Sequence, residues 1–250
     1  MFSEVITMDT IKIDSKSTKM VAHRGVSGLE LENTAAAFIA AGNRSYYGVE
    51  TDVHYTADGC YVAIHDSNTA RVEGKEKGTG IVIEDSTMVD IRTKVKLKSR
   101  YGCDREDIII PTLADYIEIC KYYGKICVLE IKGEFPKDKL LGMVEVIKSC
   151  DYLDGVIFIA FKENNLKVLR ELLPTQKLQF LCNELTDEIL AMLDEYNFDI
   201  DIRHTGLTKE VLDTLHAHGH EVNCWTVDDP ARADELVGWG VDQITSNILE

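Results

Sequence analysis

From about residue 20 onward, short apolar runs alternate with amphipathic stretches in a steady rhythm. The runs fall at residues 20–23, 47–54, 125–131, 155–161, 177–182, 198–202, 220–225 and 241–245, and are rich in Val, Ile and Phe. Runs of this kind are what strands covered on both faces require. Between them, helix-like segments occupy 34–44, 113–123, 137–149, 164–172, 187–196, 209–218 and 232–239. Several open on a capping residue, as at Thr112, Thr186, Thr208 and Asp229-Pro230. Eight strands with intervening helices predict an α/β architecture, a parallel (β/α)8 TIM barrel. A doubly wound open sheet shares the same rhythm and stands as the alternative.

One interval breaks the pattern. Between Val53 and the segment starting at Leu113 lie an extra short strand at 61–64, Gly- and Lys-rich turns at 73–78, and a polar region through Arg105. A structureless connection of that length is uncommon inside a compact domain. The chain therefore reads as a single barrel domain over 1–250, with a small subdomain inserted at about 66–110 after the second strand. That is the face on which barrel active sites are built. Residues 74–80 follow no strand and lack a Gly-Lys-Ser/Thr ending, so they are not a phosphate-cradling loop.

Charge narrows the partners. With 43 acidic and 27 basic residues the net charge is −16, and no polybasic block occurs. Nucleic acid is excluded as an expected partner, because its phosphates are bound through surplus Lys and Arg. An anionic ligand needs local help from a metal or a few placed cations. The longest apolar stretches, 35–41 and 156–161, are far short of a membrane span, and residues 1–20 lack an apolar signal core. Seven dispersed cysteines without a CxxC pair read as reduced thiols in a cytoplasmic protein.

Polar side chains gather where the strands end: His23-Arg24-Gly25, Glu50-Thr51-Asp52, His65-Asp66, Glu130-Ile131-Lys132 and Trp225-Thr226. Side chains two apart share a strand face, so Glu50 pairs with Asp52 and Glu130 with Lys132, and both pairs are expected to converge near the barrel mouth. Three close carboxylates repel unless protonated or bridged by a cation. A hard divalent ion with oxygen ligands, Ca2+ or Mg2+, answers that need and leaves positions for a phosphate. Two imidazoles beside it can share proton transfer, Arg24 offers a planar fork for phosphate, and Lys132 a point charge. Each feature alone has a plainer reading: a structural His, a strand-end salt bridge, or a packed Trp225. His216, His218 and His220 read as exposed or capping residues, and His54 and His204 carry no role.

Val21-Ala22-His23-Arg24-Gly25, Leu31-Glu32-Asn33-Thr34 and Val49-Glu50-Thr51-Asp52-Val53 together closely resemble the opening of glycerophosphodiester phosphodiesterases. So do Thr56-Ala57-Asp58-Gly59, Val62-Ala63-Ile64-His65-Asp66, Ile110-Pro111-Thr112-Leu113, Leu129-Glu130-Ile131-Lys132 and Cys224-Trp225-Thr226-Val227, in the family's order. The resemblance implies a barrel with an insertion after its second strand. It implies a divalent metal on Glu50, Asp52 and Glu130, and His23 with His65 as the acid–base pair. By the same resemblance Arg24 and Lys132 hold phosphate and Trp225 lines the glycerol end. Two departures stand out. Leu31 occupies a place where the family usually has Pro, and residues 66–72 match only loosely, which bears on the leaving group more than on catalysis.

The expected activity is metal-dependent hydrolysis of small glycerophosphodiesters to sn-glycerol 3-phosphate and an alcohol. The resemblance suggests that a neighbouring glycerol hydroxyl attacks first, giving a cyclic phosphate that water opens. A phospholipase D-like hydrolysis of lysophospholipids on the same barrel is the alternative. It needs an apolar platform at the mouth, which residues 66–105 do not show. A non-enzymatic, ligand-binding barrel is the third reading; it predicts loss of some of His23, Glu50, Asp52, His65 and Glu130, all of which are present.

Overall fold

The computed structural model describes residues 8–99 and 105–250. Cys103 and the stretch 100–104 of the expected insertion lie outside the described residues, as do residues 1–7.

In chain order the elements are β1 (Lys19–Ala22), α1 (Ala35–Gly42), β2 (Gly48–Tyr55), β3 (Tyr61–Ala63), α2 (Met88–Lys94), α3 (Leu113–Tyr123) and β4 (Ile126–Ile131). They continue with α4 (Lys137–Ser149), β5 (Val156–Ala160), α5 (Glu163–Leu172), β6 (Leu178–Cys182), α6 (Asp187–Tyr196) and β7 (Asp199–Arg203). The chain ends with α7 (Lys209–His218), β8 (Val222–Trp225), α8 (Pro230–Trp239) and β9 (Gln243–Ser246). Strands β1, β9, β8, β7, β6, β5, β4 and β2 pair in that order and all in parallel, and β1 also pairs with β2. The sheet therefore closes on itself. This is the (β/α)8 barrel, and closure decides against the open sheet. The extra strand β3 runs antiparallel on β2, with Val53 opposite Ala63 and Tyr55 opposite Tyr61.

Alternation along the strands sorts side chains into two cores. Val49, Leu129, Phe158, Ile200, Cys224 and Ile244 face outward and pack beneath the helices in the main apolar cluster. Val21, Val128, Ile157, Ile159 and Leu181 face inward and form a separate cluster inside the barrel. Helix boundaries follow local chemistry. Thr34, Thr112, Thr186 and Thr208 accept hydrogen bonds from the first helical turns, and Asp229 caps α8 with Pro230 at its start. Gly124, Gly219 and Gly240 end α3, α7 and α8 in the left-handed conformation that glycine adopts at little cost.

The connection between β3 and α3 holds a helix absent from the sequence expectation. Helix α2 is seven residues long and buries Ile91 alone, so it shows little amphipathic period. Its signal was the capping box, in which Thr87 and Asp90 satisfy each other's backbone N–H groups. Around it, Val62, Ile64, Val72, Ile83, Ile91 and Ile110 form an apolar cluster of their own.

Candidate active site

The register of β2 against β4 builds the acidic centre. Glu50 lies opposite Val128 and Asp52 opposite Glu130, so their side chains share the inner face at the C-terminal end of the barrel. One oxygen from each of Glu50, Asp52 and Glu130 lies within 4.8 Å of the others. Glu50 and Asp52 are buried and Glu130 mostly so. Lys132, just past β4, donates to Glu130 Oε1 at 2.7 Å and lies 3.4 Å from Asp52 Oδ1.

The loop after β1 supplies the second wall. Arg24 and Gly25 both adopt left-handed backbone conformations, at φ 55° and 76°. A Cβ at Gly25 would stand 2.6 Å from the backbone of Ala37, so only glycine lets the loop lie against α1. The turn aims the Arg24 N–H at Glu50 Oε2, 2.7 Å away. Its guanidinium donates to Glu32 at 2.8 Å and stands 3.2 Å from Asp52 Oδ2. Asn33 donates to the same Asp52 oxygen, Oδ2, at 2.8 Å and is itself held by Thr51. In the Leu31-Glu32-Asn33-Thr34 stretch, then, Glu32 grips Arg24, Asn33 grips Asp52 and Thr34 starts α1.

Two imidazoles flank this centre, each anchored through Nδ1. His23 Nδ1 meets Asn247 Oδ1 at 2.7 Å, and Asn247 is fixed in turn by Asp228, which accepts from its backbone and side-chain nitrogens. Its Nε2 points toward Glu50 Oε2, 3.9 Å away. His65 Nδ1 meets Asp66 Oδ1 at 2.6 Å, and Arg71 bridges Asp66 to Glu32 with a bidentate grip on the latter. A continuous chain of charged contacts thus runs from His65 through Asp66, Arg71, Glu32 and Arg24 to Asp52. His54 holds the main chain here by meeting the His65 carbonyl at 3.2 Å.

His23, Arg24, Glu50, His65, Glu130, Lys132 and Trp225 all line one cleft of about 240 Å³, with Asp52 buried beneath it. Phe161, unassigned from sequence, meets Trp225 edge-on at 5.7 Å across the far wall. A second cavity, of about 740 Å³, is lined by Asp66, Asn68, Arg71, Lys75 and Lys77 in the connection between β3 and α3.

The electrostatics are unbalanced toward negative charge. Burial, then the charge of Asp52, push the Glu50 carboxyl well above the ordinary carboxylate range and raise Glu130 to about 7. Burial works the same way on Asp52, but Arg24 and Lys132 overcome it and hold that carboxyl below its usual value. Burial, with the positive charge of Arg24, lowers His23, so it is neutral near pH 7. Asp52 Oδ1 is buried without a hydrogen-bond partner. Three convergent oxygen donors, an oxygen without a hydrogen bond and two carboxyls raised by burial and by the charge of Asp52 make a donor set that fits a hard divalent cation.

The histidines read as exposed or capping lie elsewhere. His218 and His220 both meet Asp194 at 3.0 Å and His216 meets Asp242, but His220 is buried where the sequence reading had it exposed or capping. Residues missed from sequence were the anchors. Asn247 and Asp228 follow β9 and β8 in short polar clusters, the one signal that marked them. Arg71 lay in the stretch that matched the family loosely.

Residues 23–249 match the sequence profile of the Glycerophosphoryl diester phosphodiesterase family. The glycerophosphodiester phosphodiesterase of Caldanaerobacter subterraneus subsp. tengcongensis is 28% identical over 240 residues, covering 92% of this chain and 94% of the relative. That of Bacillus altitudinis is 27% identical over 233 residues, covering 91% and 93%. In fold the chain is similar to an Oleispira antarctica phosphodiesterase solved with the product sn-glycerol-3-phosphate, with a TM-score of 0.82, 24% identity and coverage of 95% and 96%.

Proposed function

Because the chain belongs to the glycerophosphoryl diester phosphodiesterase family, we propose that it hydrolyses small glycerophosphodiesters to sn-glycerol 3-phosphate and an alcohol. The observation that carries this reading is the cleft itself, where three convergent carboxylates meet two anchored imidazoles and two cations.

On this reading Glu50, Asp52 and Glu130 hold a divalent cation, Ca2+ or Mg2+. When bound, that ion supplies Lewis acidity and neutralises charge on the phosphoryl oxygens. Arg24 and Lys132 grip the phosphate and orient it, and their charges favour the extra negative charge of the transition state. His23 and His65 move the protons. In the first step the glycerol hydroxyl next to the phosphoester attacks phosphorus. A new P–O bond forms as the bond to the alcohol breaks; one imidazole takes the hydroxyl proton and the other gives a proton to the departing oxygen. In the second step water opens the cyclic phosphate and the imidazoles exchange roles. Asn247 and Asp66 hold each ring by Nδ1, which keeps each Nε2 free for this traffic.

Residues 66–110 then act as a subdomain beside the mouth, and the cavity lined by Asp66 and Arg71 receives the departing alcohol. No helix among the described residues is long and apolar enough to cross a membrane. The six described cysteines are all free, and on this reading the enzyme works in the cytoplasm.

The test is release of sn-glycerol 3-phosphate from glycerophosphocholine, followed by a coupled assay. His23→Ala lowers kcat by about a hundredfold or more with folding intact. A chelator abolishes turnover and Ca2+ or Mg2+ restores it. Undiminished turnover in chelator overturns the metal reading. Failure to release sn-glycerol 3-phosphate from any of a panel of glycerophosphodiesters, beside turnover of dispersed lysophospholipid, overturns the substrate.

A further inference from the structure

The barrel interior has two unlike sides. Val21, Val128, Ile157 and Ile159 fill the side made by β1, β4 and β5. On β6 to β9 the inward-facing residues include Leu181 and Trp225 but are mostly polar, namely Gln179, Asp201, Asn223, Gln243 and Thr245, and these five are buried. Polar side chains inside a barrel are costly unless their hydrogen bonds are met. Here several are not.

Asp201 stands where this polar side reaches the cleft. It is only 2% exposed, yet it lines the cleft together with Glu130, Trp225 and Thr245, and its Oδ1 has no hydrogen-bond partner. Thr245 is already engaged with Asn223 at 3.2 Å, so Asp201 is the member of this wall with an unmet oxygen. Its main-chain oxygen accepts from Trp225 Nε1 at 3.1 Å, which ties the carboxyl to the aromatic wall formed by Trp225 and Phe161. Burial, with the charge of Glu130, pushes the carboxyl well above its ordinary range. A carboxyl oxygen so placed can accept a hydrogen bond from a hydroxyl.

We propose that Asp201 is a specificity-determining residue that hydrogen-bonds the glycerol hydroxyl farthest from phosphorus. The proposal rests on the reading of this cleft as a glycerophosphodiesterase site. With the phosphate between Arg24 and Lys132 and the adjacent hydroxyl at the imidazoles, the remaining hydroxyl extends across the cleft toward β7 and β8. There Trp225 and Phe161 cover the carbon chain and Asp201 meets the oxygen. An unpaired buried carboxyl is a liability in a fold and a useful feature in a binding site: a ligand that supplies the missing partner is favoured, and an analogue that lacks it is rejected.

The experiment uses two substrates, glycerophosphocholine and its analogue in which that far hydroxyl is replaced by hydrogen, with the wild type, Asp201→Leu and Asp201→Asn. In the wild type, kcat/KM favours glycerophosphocholine by about thirtyfold or more. In Asp201→Leu the preference collapses to within about threefold, through loss on glycerophosphocholine and little change on the analogue. The leucine variant also melts at or above the wild-type temperature, since no hydrogen bond in the fold depends on Oδ1. Asp201→Asn, which keeps shape and polarity, retains part of the preference and carries the test if the leucine variant does not fold. A wild type with no preference, a variant that keeps it, or equal losses on both substrates overturns the role of Asp201. A wild type that turns over neither compound overturns the activity itself, a separate outcome.

Discussion

Two buried carboxylate sites lie at opposite ends of the barrel, and their surroundings are opposite in kind. At the N-terminal end, Glu250 accepts from the Ser45 backbone N–H at 2.7 Å and hydroxyl at 2.7 Å, from Thr10 and from Lys12. One carboxylate has four donors, and they hold its carboxyl down at about 2 against the upward push of burial. Nearby, Lys125 is equally settled, donating to the carbonyls of Arg44 and Tyr46. At the C-terminal end three carboxylates share two cations, two of them are pushed up, and an oxygen of the third has no hydrogen bond. Burial alone therefore does not mark a functional acid. A group whose needs are met by its own chain serves the fold, and a group whose needs are left open has capacity for a ligand.

The sharpest way to break this comparison is to neutralise one acid at each end. Glu50→Gln is expected to lower kcat by at least about a hundredfold while the melting temperature holds or rises, because it removes a repelled charge. Glu250→Gln is expected to leave kcat unchanged and to lower stability by on the order of 2 kcal/mol, discounted because Lys12 stands in solvent. Activity assays beside thermal melts read both. A stability loss in the first or an activity loss in the second removes the distinction.

The pH dependence of stability gives the next largest difference, and the two ends carry opposite signs. The Glu250 carboxyl lies at about 2 in the folded chain and near 4.5 when free. Its stabilisation is present above the unfolded value and is lost as pH falls toward 2. Glu130 runs the other way: at about 7 folded against 4.5 free, it costs stability progressively as pH rises between those values. In chelator-treated protein, Glu250→Gln should flatten the acid limb of a denaturant-midpoint profile. Glu130→Gln should gain on the wild type from about pH 4.5 to 7 and hold that gain above, by on the order of 1–3 kcal/mol. Saturating divalent cation should erase the Glu130 difference and leave the Glu250 difference in place.

The chemical groups were more legible in sequence than their supports, for a physical reason. Strand-end residues such as His23, Glu50, Asp52 and Glu130 follow strong apolar runs, and the period of two fixes which face they share. That is enough to bring them together once the barrel closes. Asn247, Asp228 and Arg71 act through contacts between segments far apart in the chain, as when Asn247 reaches His23 across 224 positions, and no local period encodes such a meeting. Asp201 had a readable signal. Asp199-Ile200-Asp201-Ile202-Arg203 alternates polar with apolar, unlike the continuously apolar β5, and alternation in a barrel strand sends the polar set inside. Reading 198–202 as one more apolar run hid it. Helix α2 was missed because one buried residue leaves no amphipathic stripe to detect.

The smallest expected effect compares two lysines that each meet a buried carboxylate. Lys12 is 68% exposed and Lys132 is 16% exposed. Removing Lys12 leaves Glu250 with Thr10 and both Ser45 donors, and the lost ion pair was largely screened by water. Lys12→Ala should therefore cost at most about 0.5 kcal/mol, a fall of roughly 1–2 °C in melting temperature, with no change in turnover. Removing Lys132 leaves Glu130 and Asp52 facing each other with Arg24 as the remaining close cation. The Lys132→Ala variant should lose turnover roughly tenfold or more even where its melting temperature is unaltered, since the proposed phosphate contact goes with the charge. If Lys12→Ala proves the more damaging of the two to turnover, the proposed division between a closed acid site and an open one fails at its simplest point. The exposed lysine would then be reaching the chemistry from the far end of the barrel.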